Sequence, residues 1–164
     1  MRIYLIGLPH SGKTSVGKLL AEMLDYEFID MNVEIEKEAL MFIDEVYEIY
    51  GKKTISHNET ILLEKFMNKD NFVLATNSEV IMDKKNKKFL DGHIILLDVD
   101  EDTLVKRMSG EEMSYLLNDI ALADYYQNTF LKYRSFATAI VNNNHNLEKT
   151  LEELTNVISK LENK

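Results

Sequence analysis

The chain has no cysteine and no tryptophan, a single proline and only three arginines among 164 residues. Without cysteine, disulfide staples and thiolate metal sites are excluded, and nothing calls for an oxidising compartment. The one proline, Pro9, lies inside a glycine-framed loop, and no Pro/Gly-rich linker, internal repeat or low-complexity tract divides the chain. One compact domain over residues 1–164 is expected, and a 45% hydrophobic composition is enough for a substantial core. No apolar run approaches a membrane span and no signal-peptide layout is visible, so a soluble cytoplasmic monomer is expected. The excess of acid, 28 Asp and Glu against 19 Lys and Arg, argues against coating nucleic acid, which needs clustered cations. The basic stretch Asp83–Lys88 is short and isolated, and reads as a solvated surface segment. Arginine, the preferred fork for phosphoryl groups and carboxylates, is confined to Arg2, Arg107 and Arg134. His57, His93 and His145 lack metal-ligand spacing, and no nucleophile elbow or catalytic triad pattern is present.

What is present is a phosphate loop. Gly7-Leu8-Pro9-His10-Ser11-Gly12-Lys13-Thr14 reads G-x-x-x-x-G-K-T, directly after the apolar run Ile3–Ile6 and before a helical stretch. Strand, glycine loop and helix start make a cradle whose backbone N–H groups face the phosphates of a nucleotide. Gly12 lets the main chain come close to phosphate oxygens, Lys13 reaches the β- and γ-phosphates, and the Thr14 hydroxyl can ligate Mg²⁺. Pro9, His10, Ser11, Gly12, Lys13, Thr14 and Ser15 are therefore the nucleotide-binding candidates.

Strand-like and helical patterns alternate along the rest. Strands are predicted over Arg2–Ile6, Tyr26–Asp30, Asn71–Ala75, His93–Leu97 and Ala139–Val141. Helices are predicted over Lys13–Leu24, over Val33 to about Tyr50 as two pieces broken near Leu40–Phe42, and over Glu59–Met67. Others start at Asp102, cover most of Leu116–Tyr133, and end the chain over Leu147–Leu161, while Ser109–Glu112 reads as mobile. Such alternation implies a parallel sheet with helices on both faces, and a ligand beyond the carboxyl ends of the strands.

The segment from Ile3 to Asp30 resembles the opening of the shikimate kinases, small P-loop kinases that phosphorylate a hydroxyl of shikimate with ATP. Similarity continues in order through Phe72–Thr76, Leu96–Asp100, Leu104–Arg107, the Leu116-Leu117 pair, Tyr133, Ala137 and Val141. The resemblance implies a P-loop NTPase-type three-layer α/β sandwich with a five-stranded parallel sheet, a mobile lid at about 109–118, ATP and Mg²⁺. It places Lys13 and Asp30 in catalytic positions, Thr14 and (through water) Asp30 at the metal, and Arg107 against adenine. An Asp after a strand is also a common helix cap. His10 stands where the family usually has glycine, which restricts a backbone that must wrap a phosphate.

The acceptor half departs from that pattern. The second acid of the family's D-x-D is Asn32, which can orient a hydroxyl but is no general base. In Ile55-Ser56-His57-Asn58-Glu59 the arginine of F-R-x-x-E falls on Ser56. Later family arginines fall on Ser114, in the lid, and on Thr129, and the family's triple glycine is Asn77-Ser78-Glu79. Ser56 and Thr129 remove cations that would pair with the carboxylate of shikimate, and Glu79 adds a like charge. Arg134 is a conceivable substitute off the expected face of its helix. Two readings stay open: an ATP-dependent kinase for a small hydroxyl-bearing acceptor that is not anionic or is bound differently, an amine suiting the pocket better than a carboxylate, or a catalytically degenerate nucleotide-binding module used as sensor or subunit. Activity on shikimate itself would need contacts not visible in the sequence.

Overall fold

The computed structural model describes residues 1–108 and 121–162. The expected lid at about 109–118, with Ser114 and the Leu116-Leu117 pair, lies outside the described residues. The strands are β1 (Arg2–Ile6), β2 (Glu27–Asp30), β3 (Phe72–Ala75), β4 (His93–Asp98) and β5 (Ala139–Asn142). The described α-helices are α1 (Lys13–Leu24), α2 (Met31–Ala39), α3 (Ile43–Tyr50), α4 (Lys52–Phe66), α5 (Glu101–Met108), α6 (Leu122–Phe136) and α7 (Leu147–Glu162). The strands form one sheet in the order β2-β3-β1-β4-β5, parallel at every pairing.

Side-chain alternation along β1 divides the core in two. Ile3 and Leu5 point to one face, where Val16 and Leu20 of α1 and Leu154 and Ile158 of α7 cover them. Tyr4 and Ile6 point to the other, among Ile35, Leu62, Leu63, Phe66, Tyr133 and Phe136. Both faces being covered explains the near-continuous apolar run of β4. Among the described residues, no helix is long and apolar enough to cross a membrane.

Two elements differ from the sequence reading. Helix α4 begins at Lys52, seven residues before the predicted start. Its buried positions, Ile55, Glu59, Leu62, Leu63 and Phe66, keep helical spacing, but a carboxylate in the middle of the stripe hid the period. The basic stretch is a 3₁₀ turn over Lys84–Phe89. Its lysines are solvated as expected, yet Asn86 between them is buried, donating to the Val80 carbonyl at 2.8 Å and accepting from Thr60 at 2.8 Å. The break between α2 and α3 falls where predicted, with Leu40 in a left-handed conformation (φ 54°).

Candidate active site

The carboxyl ends of the central strands open into a cleft of about 740 Å³. Its walls include Pro9, His10, Gly12, Lys13, Thr14 and Ser15 from the phosphate loop and start of α1, with Asp30, Asn32, Asn77, Ser78 and Arg107 opposite. The loop follows from its sequence. Gly12 takes φ 91° and stands as the N-cap of α1, and no side chain caps that helix, so its first N–H groups remain available for an anion. A Cβ on Gly12 would lie 2.6 Å from the Asn143 amide nitrogen, so only glycine lets the loop pass this close to β5. His10 holds φ 61°, a conformation that disfavours side chains.

Lys13 folds back over the loop and donates to the carbonyls of Gly7 and Leu8, both at 2.8 Å, with Ser78 Oγ at 3.3 Å. Withdrawal from water lowers its ammonium to about 7, against an opposing pull from Asp30. Thr14 Oγ1 donates to Asp30 Oδ2 at 2.7 Å. Asp30 Oδ1 accepts the N–H of Asn32 at 3.0 Å and of Val33 at 3.4 Å, which makes the same carboxylate the N-cap of α2. Cap and cleft ligand are one residue, because β2 ends and α2 starts at the mouth of the cleft.

Arg107 ties the two sides of the loop together. It donates to the carbonyls of His10 at 3.3 Å and Asn143 at 2.5 Å. Asn143, after β5, donates to the Ser11 carbonyl at 2.7 Å and accepts from Thr150 at 2.6 Å. Asn143 and His145 line the cleft but were not singled out from the sequence. The available signal was their place just past the carboxyl end of a parallel strand.

On the acceptor side, Asn77 Nδ2 donates to Asn32 Oδ1 at 2.7 Å, and Asn77 Oδ1 accepts the Glu79 N–H at 3.0 Å. Ser56, Thr129 and Glu79 do not line the cleft. Thr129 is buried and donates to its own helix at the Tyr125 carbonyl, 2.6 Å away. Glu79 is buried behind Ser78, accepting from Tyr125 Oη at 2.5 Å and paired with Lys52 Nζ at 2.6 Å. Burial above all raises the Tyr125 phenol, which therefore stays a donor to Glu79. Each arginine is engaged elsewhere: Arg2 with Asp70 and Asp91, Arg107 as above, and Arg134 with Asp98 at 2.5 Å.

The residues present fit a magnesium–triphosphate group. An uncapped helix start, a glycine approach and a lysine suit the phosphates, and a hydroxyl beside a carboxylate suits a hard, oxygen-seeking cation. Among the described residues no cluster of three or more His, Asp or Glu forms a metal site of its own.

The chain is similar to known proteins of one family. The family model for shikimate kinase matches residues 9–159. A shikimate kinase of Caldicellulosiruptor bescii is 36% identical over 119 residues, covering 71% of this chain and 69% of the relative. One from Clostridium botulinum is 34% identical over 152 residues, 87% of this chain and 88% of the relative. Among solved structures, a shikimate kinase from Acinetobacter baumannii in complex with shikimate superposes with a TM-score of 0.85 at 26% identity, covering 97% of this chain and 93% of that one.

Proposed function

The chain belongs to the shikimate kinase family, and we propose that it transfers a phosphoryl group from ATP to a hydroxyl of a small molecule other than shikimate. The observation that carries the second half is the engagement of every arginine. With Arg2, Arg107 and Arg134 each bonded to other groups, and Ser56 and Thr129 at the clamp positions, no guanidinium faces an acceptor carboxylate. Each lost charge-assisted contact is worth about 1.5–3 kcal/mol, so losing two lowers affinity for an anionic acceptor by several decades.

In this reading Lys13 and the start of α1 hold the phosphates, and Thr14 with Asp30 holds the magnesium, which supplies charge neutralisation at the phosphoryl oxygens. Lys13 turns from the loop carbonyls to the phosphates. Arg107 keeps the loop against the segment after β5, so the cradle is set before the nucleotide arrives. Asn32 and Asn77 orient the acceptor hydroxyl as donors and acceptors, without removing its proton. Phosphoryl transfer through a loose transition state depends mainly on positioning and electrostatics, so an amide here reduces the rate without abolishing it.

A second reading, a nucleotide-binding module without transfer, draws on one observation: Glu79 is buried and bonded to Tyr125 and Lys52 where an acceptor would need room. ADP release from ATP·Mg²⁺ with acidic, neutral and amino polyols separates the two. Acceptor-dependent turnover supports the kinase; tight ATP binding without turnover across the set supports the module. Saturable turnover on shikimate overturns the proposed change of acceptor.

A further inference from the structure

Glu59 is fully buried, 0% exposed, and neither carboxylate oxygen has a hydrogen-bond partner among the described residues. A buried carboxyl without a partner is a standing cost, so a fold that keeps one invites a search for what satisfies it. Its surroundings point one way. Glu59 shares a stripe of α4 with Ser56 and Lys52, at the three- and four-residue spacing that puts side chains on one helix face. Ser56 leaves Glu59 without a cation at the neighbouring position. Lys52, at the start of the helix, reaches past it to pair with Glu79, which is itself only 4% exposed. Glu79 also holds the Tyr125 hydroxyl and follows Ser78, whose side chain touches Lys13 in the cleft. Two buried carboxyls thus lie on this side of the molecule, one of them next in the chain to the cleft-lining Ser78 and paired with a lysine. That lysine is itself 54% exposed along its side chain and follows Gly51.

We propose that Glu59 and Glu79 form an ammonium-recognition site, in which a protonated amine carried by the acceptor replaces the Lys52 ammonium. Lys52 is a tethered stand-in for the ligand: it carries the same charge and lies 2.6 Å from Glu79 Oε2, an oxygen that, like both of Glu59, has no hydrogen-bond partner among the described residues. An arriving amine bonds Glu79 in its place and supplies Glu59 with the donor it lacks, while the acceptor's hydroxyl extends toward Asn32 and Asn77. Anions are rejected by the same site, because a carboxylate placed there would meet the Glu79 charge.

This inference rests on the kinase reading for its acceptor, and the test separates the two. Ethanolamine, ethylene glycol and glycolate are two-carbon, hydroxyl-bearing probes that differ mainly in charge. Binding of each is measured by calorimetry on the full chain in ADP·Mg²⁺, and ADP release is measured with ATP·Mg²⁺. The expected result is ethanolamine binding at least about tenfold tighter than the other two, tighter again in Lys52→Met, and no longer preferred in Glu59→Gln or Glu79→Gln. Circular dichroism and thermal melting confirm that each variant is folded; Glu59→Gln, which keeps the shape of the side chain and removes only its ability to ionise, secures the test if Glu79→Gln fails to fold. Equal binding of the three probes, a preference for glycolate, or ethanolamine binding unchanged in folded Glu59→Gln overturns the site. Turnover on neutral polyols without ammonium preference defeats this inference and leaves the kinase standing. Ammonium-selective binding with no transfer to any acceptor does the reverse.

Discussion

Two side chains carry most of the electrostatic tension, and each makes a prediction at its own scale. Lys13 is held near 7 by its withdrawal from water, so above that pH the ligand-free protein carries it largely neutral. Triphosphate restores the charge, and binding must then take up a proton. Calorimetry of ATP·Mg²⁺ binding at pH 8.5, in two buffers of different ionisation enthalpy, should report uptake approaching one proton that is absent in Lys13→Met; no uptake in the parent refutes the shift. Glu59 runs the other way: burial first, then the Glu79 charge, raises its carboxyl to about 8 despite Lys52. The folded chain therefore keeps a proton that the unfolded chain releases from about pH 4.5 upward, and stability falls as pH rises through 8. Glu59→Gln should be more stable than the parent at pH 9, by up to ~5 kcal/mol, with the gap closing toward pH 4.5. A parent as stable at pH 9 as at pH 5, with no gain in the variant, contradicts it. Neither group advertised this in sequence. Lys13 was legible by motif, whereas the isolation of Glu59 depends on what packs around α4 and on what Ser56 cannot offer.

At the scale of elements, the junction of β2 and α2 holds one residue to two tasks. Asp30 caps α2 with Oδ1 and holds Thr14 with Oδ2. The two tasks can be separated, because asparagine caps a helix about as well as aspartate but binds magnesium poorly. Asp30→Asn should melt close to the parent and lose magnesium-dependent tightening of ATP binding. Asp30→Ala should lose that tightening and also ~1 kcal/mol of stability, or about 2–4 °C. Equal melting of the two variants would remove the cap from the account. Element identity was largely readable from periodicity, since Lys13–Leu24 and Leu147–Glu162 bury regular stripes and β4 is apolar throughout. Helix α4 was read short because Glu59 interrupts its stripe, and Asn86 was read as surface because four exposed lysines surround it. In both cases a polar residue is buried by contacts distant in sequence, and local pattern does not report such contacts.

Taken whole, the molecule lines its cleft from segments far apart in the chain: the loop after β1, the end of β2, the turn after β3, α5 and the segment after β5. Nucleotide binding should therefore stabilise the entire fold by mass action. At ATP·Mg²⁺ a hundredfold above its dissociation constant the gain is ~2.7 kcal/mol, a rise in melting temperature of about 5–10 °C, and Lys13→Ala should lose most of it. A melt indifferent to ATP·Mg²⁺ would refute nucleotide binding at this cleft. The G-x-x-x-x-G-K-T run and the alternation of strands with helices were sufficient by themselves to specify the parallel fold and a glycine loop between strand and helix start, because these depend on spacing within short segments. Which acceptor-side groups face the cleft was decided only by tertiary packing. Thr129 turns onto its own helix, Arg134 goes to Asp98, and Glu79 goes inward to Tyr125 and Lys52. Each of those outcomes is a competition between partners distant in the chain or a choice of side-chain direction, and only the folded chain brings the competitors within reach.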